Sequence, residues 1–160
     1  VTERFFVQLE KEQHVFSAAH FITFNRDVCE RLHGHNYRVR VAVCSPLDEN
    51  QYVVDFIALR DELSKILAEL DHHMLLPLRH PSIQVTSDLL EVEVKFQERR
   101  WIFPRGDCVL LPIEQTTAEL LAKYIGERLL EALDERCSFR PQAIRIEVDE
   151  NHGQWGVWQI

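Results

Sequence analysis

The chain has 160 residues, 46% of them apolar and 28% charged, and a net charge of -8. That is enough for a single domain with its own core over residues 1–160, and the acidic balance without a basic patch excludes nucleic acid as a partner. No apolar run approaches the roughly 18–20 residues of a membrane span, and Val-Thr-Glu-Arg at the start does not read as a signal peptide.

In chain order, residues 4–10 and 14–20 are expected as extended segments. Phe5, Val7 and Leu9 alternate with Phe6, Gln8 and Glu10, and Phe16, Ala18 and His20 share a second alternating face. Residues 22–32 look irregular. Tyr37 to Val43 predicts a half-buried strand, with Val39, Val41 and Val43 on one side and Arg38 and Arg40 on the other. Asp55 stands as a helix N-cap, and Phe56, Leu59, Leu63, Ile66, Leu67 and Leu70 predict an amphipathic helix over 56–70. A polar, proline-containing stretch (77–87) follows. Leu90, Val92, Val94 and Phe96, with Trp101 to Phe103, predict a hairpin whose turn, residues 97–100, lacks glycine. A second helix is expected from about Thr117 to Leu133, where Thr116-Thr-Ala-Glu119 reads as a capping box. The last elements are a strand pair, one carrying Ile144, Ile146 and Val148, the other Trp155 to Ile160. This order predicts one α+β domain with an antiparallel sheet.

Cys29, Cys44, Cys108 and Cys137 are far apart and form no C-x-x-C pair, so they read as thiols of a reducing compartment, the cytoplasm by default. The densest chemical signal is Cys29-Glu-Arg-Leu-His33-Gly-His35-Asn-Tyr37. In extended chain, residues i and i+2 point the same way, so His33 and His35 can face one ion. His20 closes another extended segment, and an antiparallel neighbour would bring its imidazole into range. Three neutral imidazoles on Zn²⁺ leave a fourth position free, the pattern of catalytic zinc. Spacing alone leaves two alternatives open: a surface His-x-His pair, or a closed structural site with Cys29 as fourth ligand.

The run from His20 through Cys29-x-x-x-His33-Gly-His35-Asn-Tyr37 to Leu70-Asp71-His72-His73 resembles the 6-pyruvoyl-tetrahydropterin synthase / 6-carboxytetrahydropterin synthase family. Val54-Asp55-Phe56, Thr117-Ala118-Glu119 and Glu150 extend the match over roughly residues 4–79 and 114–160. The resemblance implies the tunnelling fold: an antiparallel four-stranded sheet with two helices on one face, assembled into an oligomeric barrel. It also implies a homo-oligomer, a hexamer built as a dimer of trimers. Zn²⁺ is then held by His20, His33 and His35. Cys29 is the general base, favoured as thiolate by zinc and nearby cations, and Asp71 with His72 is the acid–base pair. Glu150 anchors the pterin, and Thr117 and Glu119 lie at a pterin-contacting helix start. His73 reads as settling on helix-end carbonyls, and Cys44, Cys108 and Cys137 as packing.

The implied substrate is 7,8-dihydroneopterin triphosphate. Cys-x-x-x-His-Gly-His is the spacing of the 6-carboxy type, which releases acetaldehyde and triphosphate on the queuosine route. The pyruvoyl type, which only eliminates triphosphate, and a non-catalytic zinc-binding relative are the alternatives. Two departures bear on substrate choice: residues 80–113 form an inserted hairpin region, and Asn151-His152-Gly153 follows Glu150 where the family has threonine.

Overall fold

The computed structural model describes residues 3–160. Its elements are β1 (Phe6–Leu9), β2 (Val15–His20), β3 (Thr23–Phe24), β4 (Val28–Cys29), β5 (His33–Cys44), α1 (Phe56–Leu70), β6 (His73–Pro77), β7 (Gln84–Ser87), β8 (Glu91–Phe96), β9 (Arg99–Pro104), β10 (Cys108–Leu111), α2 (Ala118–Cys137), β11 (Ala143–Asp149) and β12 (Trp155–Gln159). The α+β class with two helices holds.

The expected four-stranded antiparallel sheet does not. The main sheet has seven strands in the order β10-β6-β2-β5-β11-β12, with β1 also paired to β5. The β10–β6 and β6–β2 joins are parallel. Within β6, Met74 to Pro77 is a continuous apolar run, as strands covered on both faces are, and shows no alternation.

Strand alternation in β6 explains the two cores. Leu75 joins the large cluster under the helices, whereas Met74 and Leu76 join a second cluster with Phe21, Val92, Val94 and Phe96. Residues 80–113 therefore cover, through buried Ile83, Val92, Val94 and Phe96, the sheet face opposite the helices. They hold more than a hairpin: β7 adds a third strand to β8 and β9, and β10 returns to the main sheet. The hairpin turn is Gln97-Glu98, with Gln97 taking a left-handed φ of 51° where glycine would be usual.

Helix α1 has the expected bounds, and the Asp55 carboxylate accepts from the Ile57 N–H at 2.8 Å. Phe56, counted in its apolar stripe, is exposed, and Ala58 is buried instead. Helix α2 continues one turn beyond Leu133. Its N-cap is Thr117, which accepts from the Leu120 N–H, so the Thr116–Glu119 capping box does not form. Gly156 of β12 lies against the start of α2. A Cβ there would meet backbone atoms of Ala118 and Glu119 at 2.5 Å, so glycine lets the strand approach the end of α2 that borders the site.

His14, given no role above, is fully buried with neither ring nitrogen bonded. Burial, then the Lys11 and Arg60 cations, hold its pKa below 6.5. The unfolded chain therefore takes up this proton first as pH falls. The stability contribution is complete above about pH 6.5 and shrinks below it. His14→Leu is expected to reduce the loss of urea stability between pH 7 and pH 5. An unchanged loss would show that this imidazole does not contribute.

Candidate metal centre

The β2–β5 register builds the site. His20 pairs directly with His33, and Ala18 pairs with His35. Strand β5 begins at His33, so the parity of Val39 and Val41 runs back through Tyr37 and His35 to His33. Because i and i+2 share a face, all three imidazoles converge. Their ligand atoms lie within 4.8 Å of one another, and the ring planes meet at 66–90°. Gly34 stands between the two histidines of β5, where a Cβ would come within 3.1 Å of the Ala18 carbonyl oxygen.

Two of the three tautomers are set from behind. The Nδ1–H of His20 donates to the Thr116 carbonyl at 2.9 Å, and that of His33 to the Arg31 carbonyl at 2.8 Å. Both Nε2 atoms are left with lone pairs. His20 is 1% exposed, its Nε2 has no hydrogen-bond partner, and burial pushes its pKa down to about 4. Its imidazole is thus neutral at pH 7, the form that can ligate a metal. This buried lone pair faces Glu150 Oε1 at 3.3 Å, and His35 Nε2 faces the same oxygen at 3.7 Å. The His20 lone pair and the carboxylate repel each other unless a cation lies between them. The donor set therefore fits a divalent ion of the zinc type. Among the described residues the converging group contains no thiol, so the closed site with Cys29 as ligand does not form.

Glu150 follows β11 and turns toward the histidines. Its turn is pinned by Asp149, which is buried, pairs with Arg38 and accepts from the N–H groups of Gly153 and Gln154. Burial acts to raise the Asp149 carboxyl, but these donors outweigh it and hold it below the usual range. Asp71 and His72 form a bonded pair, with Asp71 Oδ2 accepting from His72 Nδ1 at 2.7 Å. The Ser17 backbone fixes both: its N–H donates to Asp71 Oδ1 at 2.7 Å and its carbonyl accepts from the His72 N–H at 2.6 Å. The first of these bonds is the main reason the Asp71 carboxyl is held low. His72 has a left-handed φ of 59°, is 81% exposed, and shares an open groove of about 540 Å³ with His35. His73 donates to the Asp71 carbonyl at 2.7 Å, as its helix-end position predicted.

Other placements correct the expectations. Cys29 is half-buried on the β3–β4 ribbon, inside the span expected to be irregular. Burial pushes its thiol up, Glu30 adds to this, and only Arg99 opposes it, so these surroundings do not favour thiolate. All four cysteines are free; Cys44 and Cys108 are buried, but Cys137 is exposed and is not packing. Glu119 is exposed on the first turn of α2, and Thr117 serves as its cap.

Two participants were missed. Thr116, hidden in a supposed capping box, holds His20. Glu30, beside Cys29 in the same motif, has its carboxylate 3.9 Å from His33 Nε2 and accepting from the Ile22 N–H at 3.2 Å. Its adjacency to Cys29 was the available signal.

Residues 8–159 match the family model described as 6-pyruvoyl tetrahydropterin synthase. The chain belongs to this family. A protein of Methanocaldococcus jannaschii described as a candidate 6-carboxy-5,6,7,8-tetrahydropterin synthase is 31% identical over 145 residues, 90% of this chain and 88% of that one. The 6-pyruvoyl tetrahydropterin synthase of Plasmodium falciparum has 30% identity and a TM-score of 0.91, with 99% of each chain covered. A Plasmodium vivax 6-pyruvoyltetrahydropterin synthase, studied as a mutant of a catalytic glutamate, has 26% identity, a TM-score of 0.90 and the same coverage. The inserted strands of this pterin synthase family member thus lie within a fold shared nearly end to end with these structures.

Proposed function

We propose that this protein is a zinc-dependent carbon–carbon lyase. It converts 7,8-dihydroneopterin triphosphate to 6-carboxy-5,6,7,8-tetrahydropterin, releasing acetaldehyde and triphosphate, as the pterin step towards queuosine and related deazapurines. The observation that carries this reading is the convergence of His20, His33 and His35, whose ligand atoms lie within 4.8 Å of one another. The carboxy product is supported by the Cys29-to-His33 spacing and by the name of the Methanocaldococcus relative.

His20, His33 and His35 would hold the ion, which when bound supplies Lewis acidity to substrate hydroxyls. Cys29 removes a proton from the substrate side chain. His72 carries its Nδ1 proton against Asp71 and presents Nε2 to the groove, where it exchanges a proton during rearrangement. Glu150 accepts from the pterin amino and ring N–H groups when it swings from the histidines, and Thr117 and Glu119 border the ring. The protein works as a homo-oligomer in the cytoplasm. Supporting observations are the open edge strands β10 and β12, the exposed apolar side chains Phe6 and Leu32, and the free cysteines. No helix of the described residues is long and apolar enough to cross a membrane.

A second reading is triphosphate elimination to 6-pyruvoyltetrahydropterin, with Glu30 as the base. It is favoured by the carboxylate beside His33 and by the catalytic glutamate of the Plasmodium vivax enzyme. Zinc-loaded protein incubated with 7,8-dihydroneopterin triphosphate distinguishes the two. Acetaldehyde release in step with triphosphate is expected; triphosphate with a pyruvoyl product and no acetaldehyde would replace the first reading by the second.

A further inference from the structure

We propose that the inserted three-stranded sheet is a clamp that holds the Cys29–Glu30 segment in its working position, with Arg99 as the positioning residue. The inference rests on reading that segment as the reactive one, while its own support is geometric. The segment has little structure of its own. Strands β3 and β4 are two residues each, and between them Asn25 and Arg26 take left-handed φ values of 49° and 62°. Successive left-handed residues with side chains persist only where their surroundings hold them.

The insertion supplies that support. From β9, Arg99 Nη1 donates to the Cys29 carbonyl at 2.7 Å and Nη2 to the Glu30 carbonyl at 3.1 Å. One planar fork thus grips two consecutive peptide groups, which a lysine, with a single point charge, does not reproduce. The guanidinium lies over the Trp101 ring, 4.5 Å from its centroid, and Trp101 stacks on Phe21 at 4.7 Å. Phe21 directly follows His20, so contact is continuous from a metal-group histidine through the insertion to Cys29. Gln97 of the hairpin turn reaches the Asp27 carbonyl at 3.4 Å, and Cys29 packs on the insertion's buried cluster.

Glu30 is gripped from the other side as well. Its N–H donates to the Ile22 carbonyl at 3.0 Å, and its carboxylate accepts from the Ile22 N–H. Ile22 and Arg99 together fix the segment against translation. A base carried on a loop needs such bracing, because misplacement by about 1 Å costs on the order of 100-fold in rate.

The test uses the zinc-loaded full chain with Arg99→Met and Arg99→Lys. Amide hydrogen exchange over residues 27–32 is measured with zinc content, thermal unfolding, and kcat and KM for 7,8-dihydroneopterin triphosphate. Arg99→Met is expected to speed exchange in that segment and to lower kcat about 10- to 100-fold while KM changes little. Zinc content should stay at the wild-type level. Arg99→Lys keeps charge and side-chain bulk, so it should remain folded even if the methionine variant does not, yet still show the faster exchange and lowered kcat. Wild-type exchange or wild-type kcat in a folded Arg99 variant overturns the clamp. If the Cys29→Ala, Glu30→Gln double variant also keeps full turnover, the reading of the segment as reactive has failed instead.

Discussion

Replacing His20 by alanine is expected to strip the protein of stoichiometric zinc and, with it, of turnover. Loss of a partner that merely orients a ligand already costs about 10–100-fold in metal affinity, so loss of a ligand from a three-histidine set should cost more than about 100-fold. His20 is the most consequential of the three because it is the buried one, with its Nδ1 bonded to Thr116 and its pKa pushed down to about 4. His33→Ala should show the same loss from a more exposed position. Metal content after gel filtration and competition with a chromogenic chelator measure the effect. Retention of one zinc per chain in both variants would mean that the ion is held elsewhere.

Cys29→Ala is expected to lower kcat by about 10²- to 10⁴-fold with zinc content unchanged, the usual range for removing a general base. The thiol has a competitor in the next residue, Glu30. Burial raises the Cys29 thiol, and the neighbouring Glu30 side chain is a second group that can take the same proton. That carboxylate also lies 3.9 Å from Nε2 of His33. Glu30→Gln removes that base while keeping side-chain volume. A large fall in Cys29→Ala alone assigns the proton transfer to the thiol; a large fall in Glu30→Gln alone moves it to the carboxylate and weakens the carboxy-product reading, which leans on the cysteine spacing. Cys137→Ser, an exposed thiol at the far end of α2, should behave as wild type in the same assays.

The α+β class, the two helices and the common face of His33 and His35 were legible in the residues because each rests on a local period. Leu59, Leu63 and Leu70 repeat at helical spacing, and Asp55 can cap only the turn that follows it. His33 and His35 share parity with Val39 and Val41, so their common face follows from chain geometry once a strand is granted. The family resemblance then joined His20 to them, and the register supplied the reason: a direct His20–His33 pair.

What tertiary structure decided was whatever depends on partners distant in sequence. The parallel strand His73–Pro77 carries no alternation because both its faces are covered, and only packing identifies it as a strand. Thr116 has the composition of a helix cap, yet its carbonyl and hydroxyl turn to a histidine 96 residues away, and Thr117 takes the cap. Glu150 has the parity of a buried face, but its direction toward the histidines is set by Asp149 pinning the turn. Arg99 is one of several charges on a hairpin until the fold lays it across two carbonyls 69 and 70 residues earlier. Periodicity constrains which face a side chain takes; which atom it meets there is fixed by the closing of long loops, and no local pattern encodes that.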